Sequence, residues 1–374
     1  MTLEPATQHH APSTRSTDRA GDFGIVAKAL KDVTVARTPS GVACAGDAPD
    51  LLKRIPDSSI SLIVTDPPYH STKKANITGD RAFRADEDYL EWIDRCAREW
   101  QRVLRPNGSL YLFCATPMSS RLEIVVGEHL EPLSNITWTK PNDPGFDGWK
   151  GKARKESLRR WYPHSERILF FGQAAPGHVR RSTLGVLLRQ RREEAGLSGH
   201  QLTARIGAYG QVNHGGAVSN WETGRNIPSR DQYARMAAAF VAEGAEPLPD
   251  YEDAVRAFDV TAEDTFVDVW DFPSVRPYRG KHPAEKPIEM LRHIVETSSY
   301  PGDLVLDCFS GSGSSLEASV TAGRRAIGID IEEKWAEASG ERLERAGAEP
   351  TVSSPRALSQ RRGRRSARDE GAPS

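Results

Sequence analysis

Apolar and polar positions along this chain follow two periods. Ser61-Leu62-Ile63-Val64, Leu110-Tyr111-Leu112-Phe113, Ile168-Leu169-Phe170-Phe171, Leu304-Val305-Leu306-Asp307 and Ala326-Ile327-Gly328-Ile329-Asp330 are short, largely apolar runs. Runs of this length read as buried strands. Residues 88–104 follow a different rhythm, with Leu90, Ile93, Ala97, Trp100 and Leu104 three or four positions apart, which predicts an amphipathic helix. A further helix is expected over 315–322, and Pro106-Asn107-Gly108 should turn the chain into the second strand. Short buried strands separated by helices predict an α/β fold, a doubly wound and mostly parallel sheet.

Residues 180–244 carry no strand signal and read as several short helices with polar turns. Leu184, Leu187, Leu188 and Arg191 mark one amphipathic helix that Gly196 closes. Ser198 and Gln201 predict a capping box for a second, bearing Leu202 and Ile206 and followed by Gly207. A third begins near Gly216 and carries Val218, Ser219, Asn220, Trp221 and Glu222. Residues 247–270 are acidic and mixed and give no clear assignment.

Composition narrows the class. The 374 residues hold enough chain for one large domain and a smaller one. No uncharged apolar run reaches the length of a membrane span. The N-terminus lacks a basic-then-apolar signal, and residues 1–30 read as disordered. Four single, widely spaced cysteines, Cys44, Cys96, Cys114 and Cys308, suit neither a zinc site nor a disulfide framework, and fit a reducing cytoplasm. Net charge is -1, but its distribution is uneven. Twelve basic residues between Lys150 and Arg192 face only Glu156 and Glu166, an excess that suits a phosphate backbone. A tail over 346–374 with Arg361, Arg362, Arg364, Arg365 and Arg368 reads as basic and disordered.

Two motifs carry chemistry. Asp307-Cys308-Phe309-Ser310-Gly311-Ser312-Gly313 lies between a strand and a helix, where glycines let backbone amides approach a ligand. Asp330 ends the next strand, where a carboxylate can accept both hydroxyls of a ribose. Asp66-Pro67-Pro68-Tyr69 follows another strand. Its prolines stiffen the loop, so the Asp66 carboxylate and the Pro67 carbonyl can grip both hydrogens of an aromatic amine. Tyr69 offers a face on which an extruded base can stack.

In this order the constellation resembles the amino-methylating DNA methyltransferases of the beta arrangement, in which the Asp-Pro-Pro-Tyr half precedes the cofactor half. Gly46-Asp47, Trp138-Thr139-Lys140-Pro141-Asn142, Ser165-Glu166-Arg167 and His282-Pro283-Ala284-Glu285-Lys286-Pro287 are similar to other segments of that family. The resemblance implies a Rossmann-like sheet with permuted motifs and S-adenosylmethionine as methyl donor, with no metal. It assigns Asp66, Pro67, Pro68 and Tyr69 to catalysis. Asp47, Asp307, Phe309, Gly311, Gly313, Asp330 and Lys286 fall to the cofactor. It further implies the N6 amine of adenine in double-stranded DNA as acceptor. Cytosine N4 stands as the alternative base, and a non-catalytic DNA-binding regulator on the same scaffold as the alternative class. A homodimer and a cognate restriction enzyme are the partners it admits.

The middle segment resembles a repressor-type helix-turn-helix, with Val-Ser-x-Trp-Glu-x-Gly-x-x-x-Pro at 218–228, although 207–216 is longer than the usual turn. It occupies the family's target-recognition slot. Asn213, His214, Ser219, Asn220 and Arg225 are the expected DNA contacts, and Glu222 is expected to brace Arg192. The expected organisation is a disordered 1–30, a catalytic half over 31–175, and a target-recognition insert over 176–272 with the helix-turn-helix at 180–244. A cofactor half over 273–345 and the tail 346–374 follow.

Overall fold

The computed structural model describes residues 16–69, 83, 85–141, 154–175, 178–208, 216–260 and 266–348. Residues 1–15, Asn142, Asn213, His214 and the tail beyond Ala348 lie outside the described residues.

The strands are β1 (Thr34–Arg37), β2 (Gly41–Ala45), β3 (Ile60–Thr65), β4 (Leu104–Cys114), β5 (Leu130–Thr139), β6 (Ser165–Ala175), β7 (His178–Ser182), β8 (Val269–Asp271), β9 (Leu304–Asp307) and β10 (Arg325–Asp330). They form one sheet in the order β1-β2-β10-β9-β3-β4-β6-β5-β8, with β7 beside β6. The central five, β2, β10, β9, β3 and β4, are parallel; β1 and β6 run antiparallel to their neighbours. Five α-helices precede or interrupt the first half: α1 (Ser16–Ala29), α2 (Ala48–Leu52), α3 (Asp86–Val103), α4 (Ser119–Gly127) and, after β7, α5 (Thr183–Glu194). Then come α6 (Gly199–Arg205), α7 (Gly216–Glu222), α8 (Arg230–Ala242), α9 (Tyr251–Ala254), α10 (Ile288–Ser298), α11 (Ser314–Thr321) and α12 (Glu333–Ala348).

The sheet is covered on both faces, which is why its strands read as unbroken apolar runs. On one face Ile63, Leu110 and Leu306 pack with Tyr89, Ile93, Ala97 and Trp100 of α3. On the other, Leu62, Tyr111 and Val305 pack with Met290, Leu291 and Ile294 of α10. Inner-strand residues alternate between the two clusters, as the two-residue period of a strand requires.

Three expectations need correction. Residues 16–29 are helical, and Phe23, Val26, Ala27 and Leu30 are buried in the α3-side core, so the disordered reading of 1–30 fails for this stretch. Its apolar residues are few but fall on one side. Pro106-Asn107-Gly108 does not turn the chain; it is a bulge inside β4. Ile60 pairs with Leu104 and Leu62 with Ser109, so three extra residues are taken up within the strand. The middle segment begins on a strand, β7, paired with β6. Helix α12 continues to Ala348, past the expected boundary at 345.

Helices α5 to α8 enclose a core of their own, built from Leu188, Leu202, Val218, Trp221, Met236 and Phe240. Ser198 and Gln201 form the expected capping box. Arg192 grips Glu222 with Nε 2.5 Å from Oε1 and Nη2 3.0 Å from Oε2. Much of the basic excess on α5 is internally matched, since Arg191 pairs with Glu194 and Glu246.

Candidate active site

Parallel pairing carries residues from distant parts of the chain to one edge of the sheet. β2 runs out into Gly46 and Asp47, β3 into Asp66, β9 ends on Asp307 and β10 on Asp330. β6 is antiparallel to β4, so its first residues, Ser165 and Glu166, reach the same edge. Strand ends at the carboxyl edge are where ligands bind in open α/β sheets.

The turn between β9 and α11 is tied down by backbone bonds. Ser310 N donates to Ile329 O at 2.8 Å, and Gly311 N to Asp330 Oδ2 at 2.9 Å. Gly311 and Gly313 have φ of 50° and 79°, a region that suits glycine. A Cβ on Gly311 would lie 3.1 Å from His282 Nδ1, and one on Gly313 2.8 Å from Ser339 Cα. Asp330 Oδ1 also accepts from Glu332 N at 2.9 Å; each oxygen keeps a second lone pair for a ligand hydroxyl. Gly46 N donates to Asp330 O at 2.9 Å, so the Asp47 turn is fastened to the same strand end. Asp47 sits at the N-cap of α2 but makes no side-chain cap bond there, and burial raises its pKa.

Asp307 is buried. Its Oδ1 accepts from Thr65 Oγ1 at 3.1 Å and Phe309 N at 3.0 Å, and Oδ2 accepts from Ser315 Oγ. Burial nevertheless pushes its pKa up to about 6. The Phe309 ring packs 5.4 Å from that of Trp92.

The Asp66 loop faces a buried set of charges. Lys286 Nζ donates to Asp66 Oδ2 and lies 3.9 Å from Glu166 Oε2. It also sits 5.5 Å from the Tyr69 ring and 5.2 Å from that of Phe113. Tyr69 OH donates to Glu166 Oε2 at 3.3 Å, and Lys140 donates to Glu166 Oε1. Asp66 Oδ1 is buried with no hydrogen-bond partner among the described residues. Burial raises the Asp66 pKa, with Lys286 opposing. Burial would raise Glu166 too, but Lys286 and Lys140 hold it below its ordinary value.

Lys286, expected at the cofactor, places its ammonium on Asp66. It stands two residues before α10, whose first turn is held at the same edge. Glu166 and Lys140 lay inside recognised segments, yet sequence reasoning did not single them out. The available signal was a lone acid heading an apolar strand. His282 was also passed over. Its Nδ1 accepts from Ala284 N at 3.3 Å, and burial lowers its pKa to about 4, so it is a neutral support beneath Gly311. Ser219 and Asn220 lie half-exposed on α7, while Val218 and Trp221 face its core; Arg225 is exposed beyond the helix end.

A glycine turn that rejects side chains, an acid ending the next strand and an Asp-Pro-Pro-Tyr loop beside them define a methyltransferase of the Rossmann-like class. The family model of the N6/N4 DNA methylases matches residues 60–341, and the chain belongs to that family. DNA is its substrate and S-adenosylmethionine its methyl donor. The chain is similar to the DNA adenine methyltransferase YhdJ of Escherichia coli (strain K12), with 24% identity over 308 residues, 80% of this chain and 81% of that protein. The type II methyltransferase M.HpaI of Haemophilus parainfluenzae is 26% identical over 298 residues, 78% of this chain and 71% of that one. Among solved structures, the cytosine-N4-specific PvuII DNA methyltransferase aligns with a TM-score of 0.47 and 16% identity, covering 86% of this chain and 90% of its own. No helix among the described residues is long and apolar enough to cross a membrane.

Proposed function

We propose that this enzyme methylates the N6 amine of adenine in a base extruded from double-stranded DNA. The observation that carries the reading is Asp66 Oδ1, a buried acceptor without a partner among the described residues, at the start of a loop stiffened by Pro67 and Pro68. Asp66 Oδ1 and the Pro67 carbonyl accept the two hydrogens of the target amine, drawing the nitrogen lone pair out of the ring's conjugation. Tyr69 stacks on the base. Lys286 keeps Asp66 ionised and fixes its rotamer, and Glu166 balances the charge. S-adenosylmethionine supplies an activated sulfonium methyl when bound. Asp330 would hold its ribose, Asp47 its adenine and Asp307 its methionine end, with Phe309, Gly311 and Gly313 lining the cradle. Asp66 receives the proton that the amine sheds after transfer.

The adenine assignment rests on Asp before Pro-Pro-Tyr, as the family resemblance implies, and is supported by the name of YhdJ. The type II designation of M.HpaI supports a cognate restriction enzyme as partner. Helices α5 to α8 form a helix-turn-helix unit in this reading, with Ser219, Asn220 and Arg225 on DNA. Mass analysis of nucleosides from plasmid treated with the enzyme tests the base. N6-methyladenine without 5-methylcytosine is the expected product; N4-methylcytosine alone would keep the chemistry and overturn the base.

A further inference from the structure

The helical unit hangs from the edge of the sheet opposite Asp66. Thr183 Oγ1 donates to Pro106 O where the unit begins. Where it ends, Asn107 Nδ2 donates to Glu252 O at 2.7 Å and Val255 O at 3.2 Å. Pro106 and Asn107 lie near the start of β4, whereas Thr65, next to Asp66, pairs with Leu112 near its end. β6 spans the same gap: the eight steps from Arg167, beside the site, to Ala175, where the unit departs, cover about 26 Å at a strand's rise. The unit's attachment is thus remote from Asp66, and an element nearer the site is free to handle DNA flanking the target.

Topology supplies one. The β5–β6 connection returns to the catalytic edge, and its described part contains Arg159-Arg160-Trp161-Tyr162-Pro163-His164. Trp161 is 97% exposed, more than any other large apolar residue described, and Arg159 and Arg160 are exposed beside it. The loop is anchored by Lys140 N on His164 O at 3.3 Å and by Thr116 Oγ1 on Ser165 O at 3.1 Å. Trp161 stands five positions before Glu166, which touches Tyr69 and Lys286, so its Cα lies within about 17 Å of that of Glu166. An indole left in water beside two guanidinium groups, at the mouth of a DNA-modifying site, matches a duplex in both stacking and charge.

We infer that Trp161 is the wedge that fills the stack when the target base leaves it, with Arg159 and Arg160 on the adjoining phosphates. This rests on the extrusion reading proposed above. Removing a base leaves its neighbours and its partner unstacked, and an aromatic ring can restore that contact whatever the sequence.

The test uses the full-length enzyme on a site mapped by sequencing methylated bases from expressing cells. Two duplexes carry it, one with the target normally paired and one with an abasic position opposite. Trp161→Ala should lower kcat/KM on the paired duplex about 10- to 100-fold, and far less on the abasic one, where extrusion needs little help. Trp161→Phe should recover most of the loss. Arg159→Ala with Arg160→Ala should reduce the slope of log K against log salt by about 2. Equal losses on both duplexes, no loss, or a wild-type dimer that Trp161→Ala dissociates would overturn the wedge and leave extrusion standing. 2-Aminopurine at the target position reports extrusion itself: if wild type never raises its fluorescence, extrusion fails and the wedge falls with it.

Discussion

Lys286 holds one carboxylate oxygen of Asp66 and leaves the other, Oδ1, buried and without a hydrogen-bond partner among the described residues. The two residues are 220 positions apart, and the contact exists because the segment leading into α10 lies at the edge where β3 ends. A carboxylate held this way has one oxygen spent on orientation and one available for a donor. An unpaired buried acceptor is costly, and a target amine would relieve that cost.

Asp66→Ala should cut methyl transfer by at least about a thousandfold while S-adenosylmethionine binds nearly as before. Asp330→Ala should reverse the pattern, because it removes the acceptor of the Gly311 and Glu332 amides and the proposed ribose contact. Methyl incorporation and calorimetric cofactor titration separate the two. Equal loss of cofactor affinity in both variants would sink the division of roles.

Removing the charge at Lys286 should act through Asp66. Burial already raises the Asp66 pKa and Lys286 opposes it, so Lys286→Met should raise it further. The ionised form accepts the amine hydrogens, so activity falls as pH drops through this pKa. The acid limb of the kcat profile should therefore move up by about a unit or more, with a smaller change in KM. Lys286→Arg should restore part of the shift. An unmoved acid limb would mean that Lys286 does no more than pack.

The motifs were legible in the sequence because their chemistry is local. Pro67 and Pro68 stiffen a loop by their own rings, and Gly311 and Gly313 permit a turn by their own φ. The strands they follow were legible from length and apolarity. Convergence of Asp47, Asp66, Asp307 and Asp330 was legible only through the family resemblance and not from periodicity, since it arises from a strand order in which β2 and β10 are neighbours although 284 positions separate their first residues, Gly41 and Arg325. The contact of Lys286 with Asp66 was not legible for the same reason: only the tertiary path shows which acid it meets. Pro106-Asn107-Gly108 reads locally as a turn, and pairing with both β3 and β6 overrides that tendency. Helix α1 escaped notice because its surroundings are polar and only Phe23, Val26, Ala27 and Leu30 reach the core.

Asp307 should show a conflict between stability and function. Its folded pKa is about 6 against an ordinary 3.8, so the native state holds its proton more tightly than the unfolded chain. Stability from this group is present below pH ~4, falls as pH rises towards 6, and stays low above it. Asp307→Asn should thus gain on the order of 1–3 kcal/mol at pH 8 and little at pH 4, while cofactor affinity drops. Urea melts at the two pH values check the first part; a variant less stable at pH 8 than wild type would refute it.

In the helical unit, Arg192 and Asn220 should fail differently. Arg192→Ala leaves Glu222, whose side chain is only 9% exposed, with only the longer ion pair to Arg189 at 3.7 Å, and should destabilise the unit by up to about 3 kcal/mol. Asn220→Ala leaves that pair intact and should relax sequence choice by about 1–3 kcal/mol at one base pair, without slowing turnover on saturating DNA. Thermal melts and sequencing of methylated DNA distinguish them. Deleting residues 184–240 behind a short linker with no change in the methylated sequence would remove the unit from recognition.

The attachment of the helical unit at Pro106, Asn107 and Val255 sets a scale on the DNA. Along β6 the attachment stands about 26 Å from the catalytic edge, measured from Arg167 to Ala175. At about 3.4 Å per base pair, that is roughly eight base pairs. A unit reading DNA near its attachment would contact base pairs most of a helical turn of about 10.5 away from the target base. The enzyme's footprint should then be two separate patches of protection, with the methylated base at one end of the protected stretch and not at its centre.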